Sequence, residues 1–330
     1  MSKAKHVVIV GTGGTIASRY DPALGRTVAS QSVEAILSSA AKPDDLPGLT
    51  FENFSTIASF NMTLAFVDGL VRRLRELLDR PEIDGVVVTQ GTDTMEETSF
   101  LAGLLVDSEK PLVFTGAQLA HDHPQSDGPR NLLDAIRAAA AGVTKGLGAM
   151  ICFNGELHGA REVTKVHTSA VETFQSYHHG ALGIVDGDRV IVYRRPQLGL
   201  HLRPERLDKR VEILKAVIGA DGTMVDAVRQ MGIDGLVVEA FGRGNVSAQF
   251  GQALGRVCRD GLPVVITSRC PIGRVSPVYG GGGGGRDLED AGAIFAGDLK
   301  GPKARLLLIA ALGDPAARDR VRELFNTFAP

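Results

Sequence analysis

The chain has 330 residues, 44% hydrophobic and 22% charged, with a formal net charge of −2. That length supports two domains and a large core, and the near-neutral balance gives no electrostatic footprint for nucleic acid or an anionic membrane. No apolar run reaches transmembrane length, the opening run is too brief for a signal peptide, and Cys152, Cys258 and Cys270 are too widely spaced for a metal pattern, so the cytoplasm is the expected location.

The first element is the run Val7-Val8-Ile9-Val10, four β-branched residues that predict a buried parallel strand. Gly11, Gly13 and Gly14 then take the backbone through a tight turn whose bare N–H groups can approach a ligand. Thr15 leaves that turn at the carboxyl end of the strand, where open α/β sheets bind ligands. A dinucleotide loop would place a third glycine where Ile16 stands, and no Lys-Ser/Thr pair follows to make a P-loop. The stretch therefore reads either as a plain strand-to-turn connection or as a nucleophile beside an oxyanion-binding backbone.

Residues 18–30 form a polar loop leaving the turn, read as a lid or a plain connector. A short helix is expected over 32–40 and a strand over 49–57, ending at Ala58-Ser59-Phe60-Asn61. Leu64, Val67, Leu70, Val71, Leu74, Leu77 and Leu78 recur at helical spacing, with arginines on the opposite, solvated face. Val86-Val87-Val88-Thr89-Gln90-Gly91-Thr92-Asp93 repeats the first plan of strand, glycine and threonine. Thr92 or Asp93 is expected near a helix N-cap, with Glu96 and Glu97 in the first turn, where the helix dipole favours them.

A third short strand over 111–114 leads into Thr115-Gly116-Ala117-Gln118, and Pro129 opens the next helix. His121 and His123 lack a Cys or Glu partner and read as solvated, so no metal is expected. A strand over 147–153 precedes residues 158–168, which fit neither helix nor strand. After a strand-like 190–193, residues 194–210 are charged and proline-rich and read as a linker between domains at 1–193 and 211–330. The second domain again alternates strands (211–218, 235–240, 263–268) and helices (223–231, 247–258, 304–312, 316–325). Its six consecutive glycines, Gly280–Gly285, are expected to form a flexible loop that cannot pack.

Two strand-turn-threonine units would bring two hydroxyls and one carboxylate into one crevice. A free alcohol is a poor nucleophile and needs a base. Lys165, beside Asp93 and partly desolvated, is the candidate to take a proton from Thr92, in a relay of the Ser-Lys kind. Taken alone, Lys165 reads as a surface lysine. With the glycine-turn amides holding an oxyanion, the set describes acyl transfer on a small polar substrate. The residues leave open which threonine attacks.

Gly13-Gly14-Thr15-Ile16-Ala17 and Gly91-Thr92-Asp93-Thr94-Met95-Glu96-Glu97-Thr98 resemble the two hallmark motifs of the bacterial-type L-asparaginase and glutaminase-asparaginase family. The likeness continues through Asp127-Gly128-Pro129, Asn131-Leu132, Val163-Thr164-Lys165, Gly242, Gly244-Asn245 and Ser268-Arg269. It implies an α/β fold: a larger flavodoxin-like N-terminal domain with a mostly parallel sheet and a left-handed crossover, and a smaller α/β C-terminal domain. It implies hydrolysis of the asparagine side-chain amide to aspartate and ammonia without cofactor or metal. It makes Thr15 the acylated nucleophile and Thr92, Asp93 and Lys165 a second triad, with Asp93 also on the substrate amino group. Ser59 matches the serine on the substrate carboxylate, and Ala117 the residue whose carbonyl holds the leaving amide. A homotetramer of intimate dimers is implied, with sites completed across the interface.

The chain departs from better-known members at four places. Arg26 stands where a lid tyrosine assists the nucleophile, with Tyr20 upstream as the possible substitute. Phe60 replaces a frequent glutamine. Ser276-Pro277-Val278-Tyr279-Gly280 carries no acid where a neighbouring subunit contributes a glutamate, and Arg243 stands for an asparagine that reaches over. The alternatives are a glutaminase-asparaginase and the amidase subunit of a tRNA-dependent amidotransferase. The latter would carry a further N-terminal domain, for which this chain leaves no room before its first strand. From a different class comes a nucleotide- or amino-acid-binding module without catalysis, which would leave Lys165 and Asp93 without a task.

Overall fold

A computed structural model describes residues 5–21, 25–29, 32–38, 46–197 and 200–329. The fold is α/β, as the alternation of Val-rich runs and amphipathic segments predicts, and the chain divides into two compact units, Met1–His201 and Leu202–Pro330.

The first unit is built on an eight-stranded sheet. Its parallel part comprises β1 (His6–Gly11), β4 (Gly48–Asn53), β5 (Gly85–Thr89), β6 (Leu112–Thr115) and β7 (Ala149–Phe153). Val7–Val10 and Val86–Val88 are at most 2% exposed. Such strands are continuous apolar runs because helices cover both faces. The covering helices are α1 (Val33–Ser38), α2 (Leu64–Asp79), α3 (Met95–Leu105) and α4 (Gly128–Ala140). In α2 the residues predicted to face inward are all buried except Leu64 at the helix start, and the Thr63 hydroxyl caps the first turn by accepting from Phe66 N–H. The antiparallel strands β8 (Glu156–Gly159), β11 (Gly183–Asp186) and β12 (Arg189–Val192) extend the sheet beyond β7.

Across the parallel strands the order is β4-β1-β5-β6-β7. In chain order this is second, first, third, fourth, fifth, the flavodoxin-like arrangement. The direction of winding reverses between β1 and β5. Ligands in such sheets bind outside the carboxyl ends of the strands at that reversal, and the two glycine turns leave the sheet there.

Within residues 18–30, the described stretches 18–21 and 26–29 are more regular than a connector. β2 (Ser18–Asp21) and β3 (Arg26–Ala29) pair as an antiparallel hairpin, with Tyr20 opposite Thr27 and Asp21 opposite Arg26. The strand expected over 49–57 ends at Asn53. The stretch 158–168 is also ordered. After β8, β9 (Thr164–Lys165) pairs with β10 (Phe174–Gln175) in a short two-stranded hairpin.

In the second unit a four-stranded parallel sheet runs in simple order: β13 (Val211–Lys215), β14 (Gly235–Ala240), β15 (Val264–Ser268) and β16 (Ile294–Phe295). It packs with α5 (Thr223–Gln230), α6 (Ala248–Arg259), α7 (Gly285–Asp290), α8 (Gly301–Gly313) and α9 (Val321–Phe328). Between β12 and β13 the described residues hold no helix or strand.

The glycine run contradicts the expectation of a loop that cannot pack. Gly283, Gly284 and Gly285 are buried, and Gly285 opens α7. A methyl group on Gly284 would lie 2.0 Å from the carbonyl oxygen of Tyr279, and one on Gly283 2.5 Å from that of Val246. The Asp287 carboxylate accepts from the N–H groups of Gly282 and Gly284. Here glycine is used for close approach of backbone to backbone, a form of packing invisible to a reading that scores side chains.

Candidate active site

Four turns meet over the carboxyl ends of β1, β5 and β6. The first two touch through glycine. A methyl group on Gly14 would lie 2.2 Å from the nitrogen of Gly91 and 2.4 Å from its Cα. Gly14 has φ +88° and Gly13 φ +101°, the left-handed region that favours glycine. Thr12 stitches the same turns together, since its N–H and hydroxyl both donate to the Thr89 carbonyl, at 3.0 and 2.9 Å. Thr15 and Thr92, each the residue after one of these abutting glycines, are thereby set on one rim.

Thr15 begins a single 3₁₀ turn, Thr15–Ala17, and is half-buried between Gly14 and a fully buried Ile16. The third turn brings Ser59, which is 4% exposed. A methyl group on Gly91 would fall 2.5 Å from its Oγ, so Ser59 fills the space that the glycine leaves. The Thr94 hydroxyl donates to the Ser59 carbonyl at 3.0 Å and fixes this turn to the next helix.

As expected, Thr92 and Asp93 lie near the N-cap of α3, directly before it: the cap position is Thr94, whose side chain makes no capping bond. Their own side chains face the crevice. Lys165 Nζ donates to Thr92 Oγ1 at 2.8 Å and to Asp93 Oδ1 at 2.7 Å. The side chain of Lys165 is 14% exposed and that of Asp93 56%, so the pair spans the edge of the site. The amine arrives from 72 residues along the chain because the β9–β10 hairpin carries it there. Phe174, directly opposite Lys165, is buried edge-to-face on Phe153 with centroids 5.1 Å apart.

The fourth turn supplies Ala117, fully buried, and Gln118. Asp127 holds this turn by accepting from the N–H groups of Gln118 and Leu119. Asn131 braces it through Gly116 O and the Asp127 carboxylate, both at 3.0 Å. The motif residues Asp127 and Asn131 thus work on the backbone of the turn.

Two polar residues of the site were not foreseen. Thr92 Oγ1 donates to Gln118 Oε1 at 2.9 Å, while Gln118 Nε2 donates to Ala170 O at 3.1 Å. The carbonyl partner requires the amide NH₂ on that side and leaves the amide oxygen facing Thr92. Glu96, read as a dipole residue, accepts the Lys165 backbone N–H at 2.9 Å. Neither role has a local sequence signal, because each is a contact between segments distant in the chain.

The hydroxyl of Thr92 therefore accepts from an amine and donates to an amide, with a carboxylate on the other side of the amine. An alcohol and an amine in direct contact have the geometry from which a proton can be exchanged once the hydroxyl turns toward the amine. Tyr20 and Arg26 lie on the β2–β3 hairpin that follows the first turn, and their side chains lie outside the described residues. Among the described residues no group of His, Cys, Asp and Glu is arranged to hold a metal ion, and no helix is long and apolar enough to cross a membrane. Cys152 is fully buried, and burial pushes its thiol well above the usual range.

Comparison with known proteins gives the same pattern. The family profile described as "Asparaginase, N-terminal" matches residues 6–198, and that described as "Glutaminase/Asparaginase C-terminal domain" matches residues 210–325. The chain is 38% identical to a probable L-asparaginase of Deinococcus radiodurans over 97% of each protein. It is 33% identical to one of the subunits of the glutamyl-tRNA(Gln) amidotransferase of Archaeoglobus fulgidus, over 93% of this chain and 75% of that protein. Its structure superposes on that of a probable cytoplasmic L-asparaginase from Campylobacter jejuni with a TM-score of 0.87 and 29% identity, covering 98% of this chain and 99% of the other. On both halves of its sequence and on its fold, the chain belongs to the asparaginase family.

Proposed function

We propose that the protein hydrolyses the side-chain amide of free L-asparagine to L-aspartate and ammonia. The observation that carries this reading is the Thr92–Lys165–Asp93 contact set, with separations of 2.8 and 2.7 Å, beside the Gly14–Gly91 junction. In the proposed mechanism the Thr15 hydroxyl oxygen attacks the amide carbon. Its proton passes to the leaving nitrogen, ammonia departs, and an ester between Thr15 and the β-carboxyl group remains. Amides of the first glycine turn hold the oxyanion of each tetrahedral state. Water, positioned by Thr92, then attacks the ester. Lys165 takes the proton relayed through Thr92 and returns it to the Thr15 oxygen as the ester breaks, with Asp93 stabilising the ammonium. Ser59 takes the substrate carboxylate, Asp93 its amino group, and the Ala117 carbonyl the amide NH₂. Tyr20 or Arg26 serves as the lid residue that assists Thr15.

In this reading residues 1–193 carry the chemistry, 194–210 connect, and 211–330 form the second domain. The protein works in the cytoplasm as a homotetramer of dimers. A side-by-side ammonia assay of the purified protein with L-asparagine, L-glutamine and D-asparagine tests it. The expected result is turnover of L-asparagine by the protein alone. Release from no amide, with calorimetric binding of a nucleotide or amino acid, would instead support a binding module.

A further inference from the structure

The amine of Lys165 must meet a hydroxyl and a carboxylate from a distant segment, and its own hairpin is short. Only two residues on each side pair, Lys165 with Phe174 and Thr164 with Gln175. One bond reaches the backbone of Lys165 itself: Glu96 Oε2 accepts its N–H at 2.9 Å. Glu96 lies in the first turn of α3, only three residues after Asp93 and four after Thr92. The segment that presents the amine's two partners therefore also grips the residue that carries the amine. A displacement of α3 would move both ends of the contact together.

We infer that Glu96 is a positioning residue for Lys165, setting the distance of its amine from Thr92 and Asp93 by holding its backbone N–H. The inference rests on the proposed proton-transfer role of Lys165. Other supports of the segment hold its neighbours. Val166 N–H donates to Thr173 O at 2.7 Å, Glu162, three residues upstream, is paired with Arg194, and His158 Nδ1 lies 3.1 Å from Ser176 Oγ beyond the other strand.

A first-turn carboxylate also suits the helix dipole, and two variants separate the roles. Glu96→Asp keeps the charge and shortens the reach by one methylene. Glu96→Gln removes the charge and keeps an oxygen at the same reach. Positioning requires Glu96→Asp to lower kcat by about tenfold or more with KM within about twofold. It requires Glu96→Gln to stay within about threefold of wild type in kcat. A misplacement of about 1 Å at a reacting group is enough for losses of this size or greater. The reverse pattern, Asp tolerated and Gln not, would assign Glu96 to the dipole and overturn the inference, as would both variants at wild-type turnover. A third arm places Glu96→Asp on a Lys165→Met background. A residue that acts through Lys165 should then cost less than about twofold further, and a full additional loss would show that Glu96 works elsewhere. Near-normal turnover of Lys165→Met alone would instead remove the reading beneath it, so the two failures are told apart.

Discussion

Gly14 and Gly91 approach so closely that a methyl group on the first would lie 2.2 Å from the backbone nitrogen of the second. Gly14→Ala is therefore expected to part the two turns. It would also place a side chain at φ +88°, ψ −176°, an essentially glycine-only conformation that costs about 1–3 kcal/mol for an L-residue. With overpacking of about 1–3 kcal/mol added, the melting temperature should fall by several degrees and ammonia release by at least about a hundredfold. Gly69→Ala supplies the contrast. Gly69 lies inside α2 with nothing within 4 Å of a new methyl group, so the substitution should raise stability by about 0.5–1 kcal/mol. Equal behaviour of the two variants in thermal melts would show that the junction is not tight.

Thr15→Val removes one oxygen and keeps the β-branched shape that the 3₁₀ turn accommodates. The expectation is a normally folded protein without ammonia release. Wild-type enzyme quenched in acid during turnover should carry the mass of an acyl group on the peptide containing Thr15, and the variant should not. A folded variant at near-normal turnover would mean that another group attacks.

Lys165→Met should lower kcat by the order of 10²–10⁴ expected for a lost proton-transfer group. Lys165→Arg is the sharper test. A guanidinium retains positive charge and donors toward Asp93 but does not give up its proton in a protein. If Lys165 works by taking and returning a proton, arginine should be nearly as poor as methionine. Recovery of most activity by arginine would recast the residue as an electrostatic support.

The sequence carried the main lines of this architecture for physical reasons. Buried parallel strands must be apolar throughout, so Val7–Val10 and Val86–Val88 announce themselves, and the leucine spacing of α2 does the same for its inner face. The meeting of Thr92, Asp93 and Lys165 was legible only as a requirement: an alcohol needs a base, and Lys165 sat in a stretch with no other account. What stayed hidden depends on contacts between distant backbones. Glu96 reads as a dipole residue until β9 lies beside it. Gln118 reads as a loop residue until Ala170 fixes the sense of its amide.

The glycine run 280–285 tests that lesson directly. Gly284 precedes α7 with an ordinary φ of −71°, so what opposes a side chain is crowding by the Tyr279 and Gly280 carbonyl oxygens, at 2.0 and 2.6 Å from a new methyl group. Gly284→Ala should lower stability by the ~1–3 kcal/mol typical of overpacking. Gly281→Ala, although it lies at φ +101°, meets nothing within 4 Å and should lose only the backbone strain of ~1–2 kcal/mol. Chemical denaturation of both variants measures the difference. A Gly284→Ala protein as stable as wild type would restore the picture of a slack loop.

His158 gives the chain an acid-sensitive point outside the crevice. It is 2% exposed, with Nδ1 3.1 Å from Ser176 Oγ. Its Nε2 lies 3.2 Å from the half-exposed Glu156 carboxylate without hydrogen-bonding geometry. Burial first, and then the Arg194 guanidinium, lower its pKa from 6.5 to about 4. In the unfolded chain the ring titrates near 6.5, so between the two values the unfolded state binds more protons. Stability from this group is therefore complete above about 6.5, declines as pH falls toward about 4, and levels off below that. The full gap corresponds to ~3 kcal/mol. Melting temperatures of wild type and His158→Gln, measured from pH 7.5 to 4, should converge as the solution is acidified, because the variant has no imidazole to protonate. Parallel curves across that window would mean that the buried ring is charged already, or that the acid response arises from carboxylates alone.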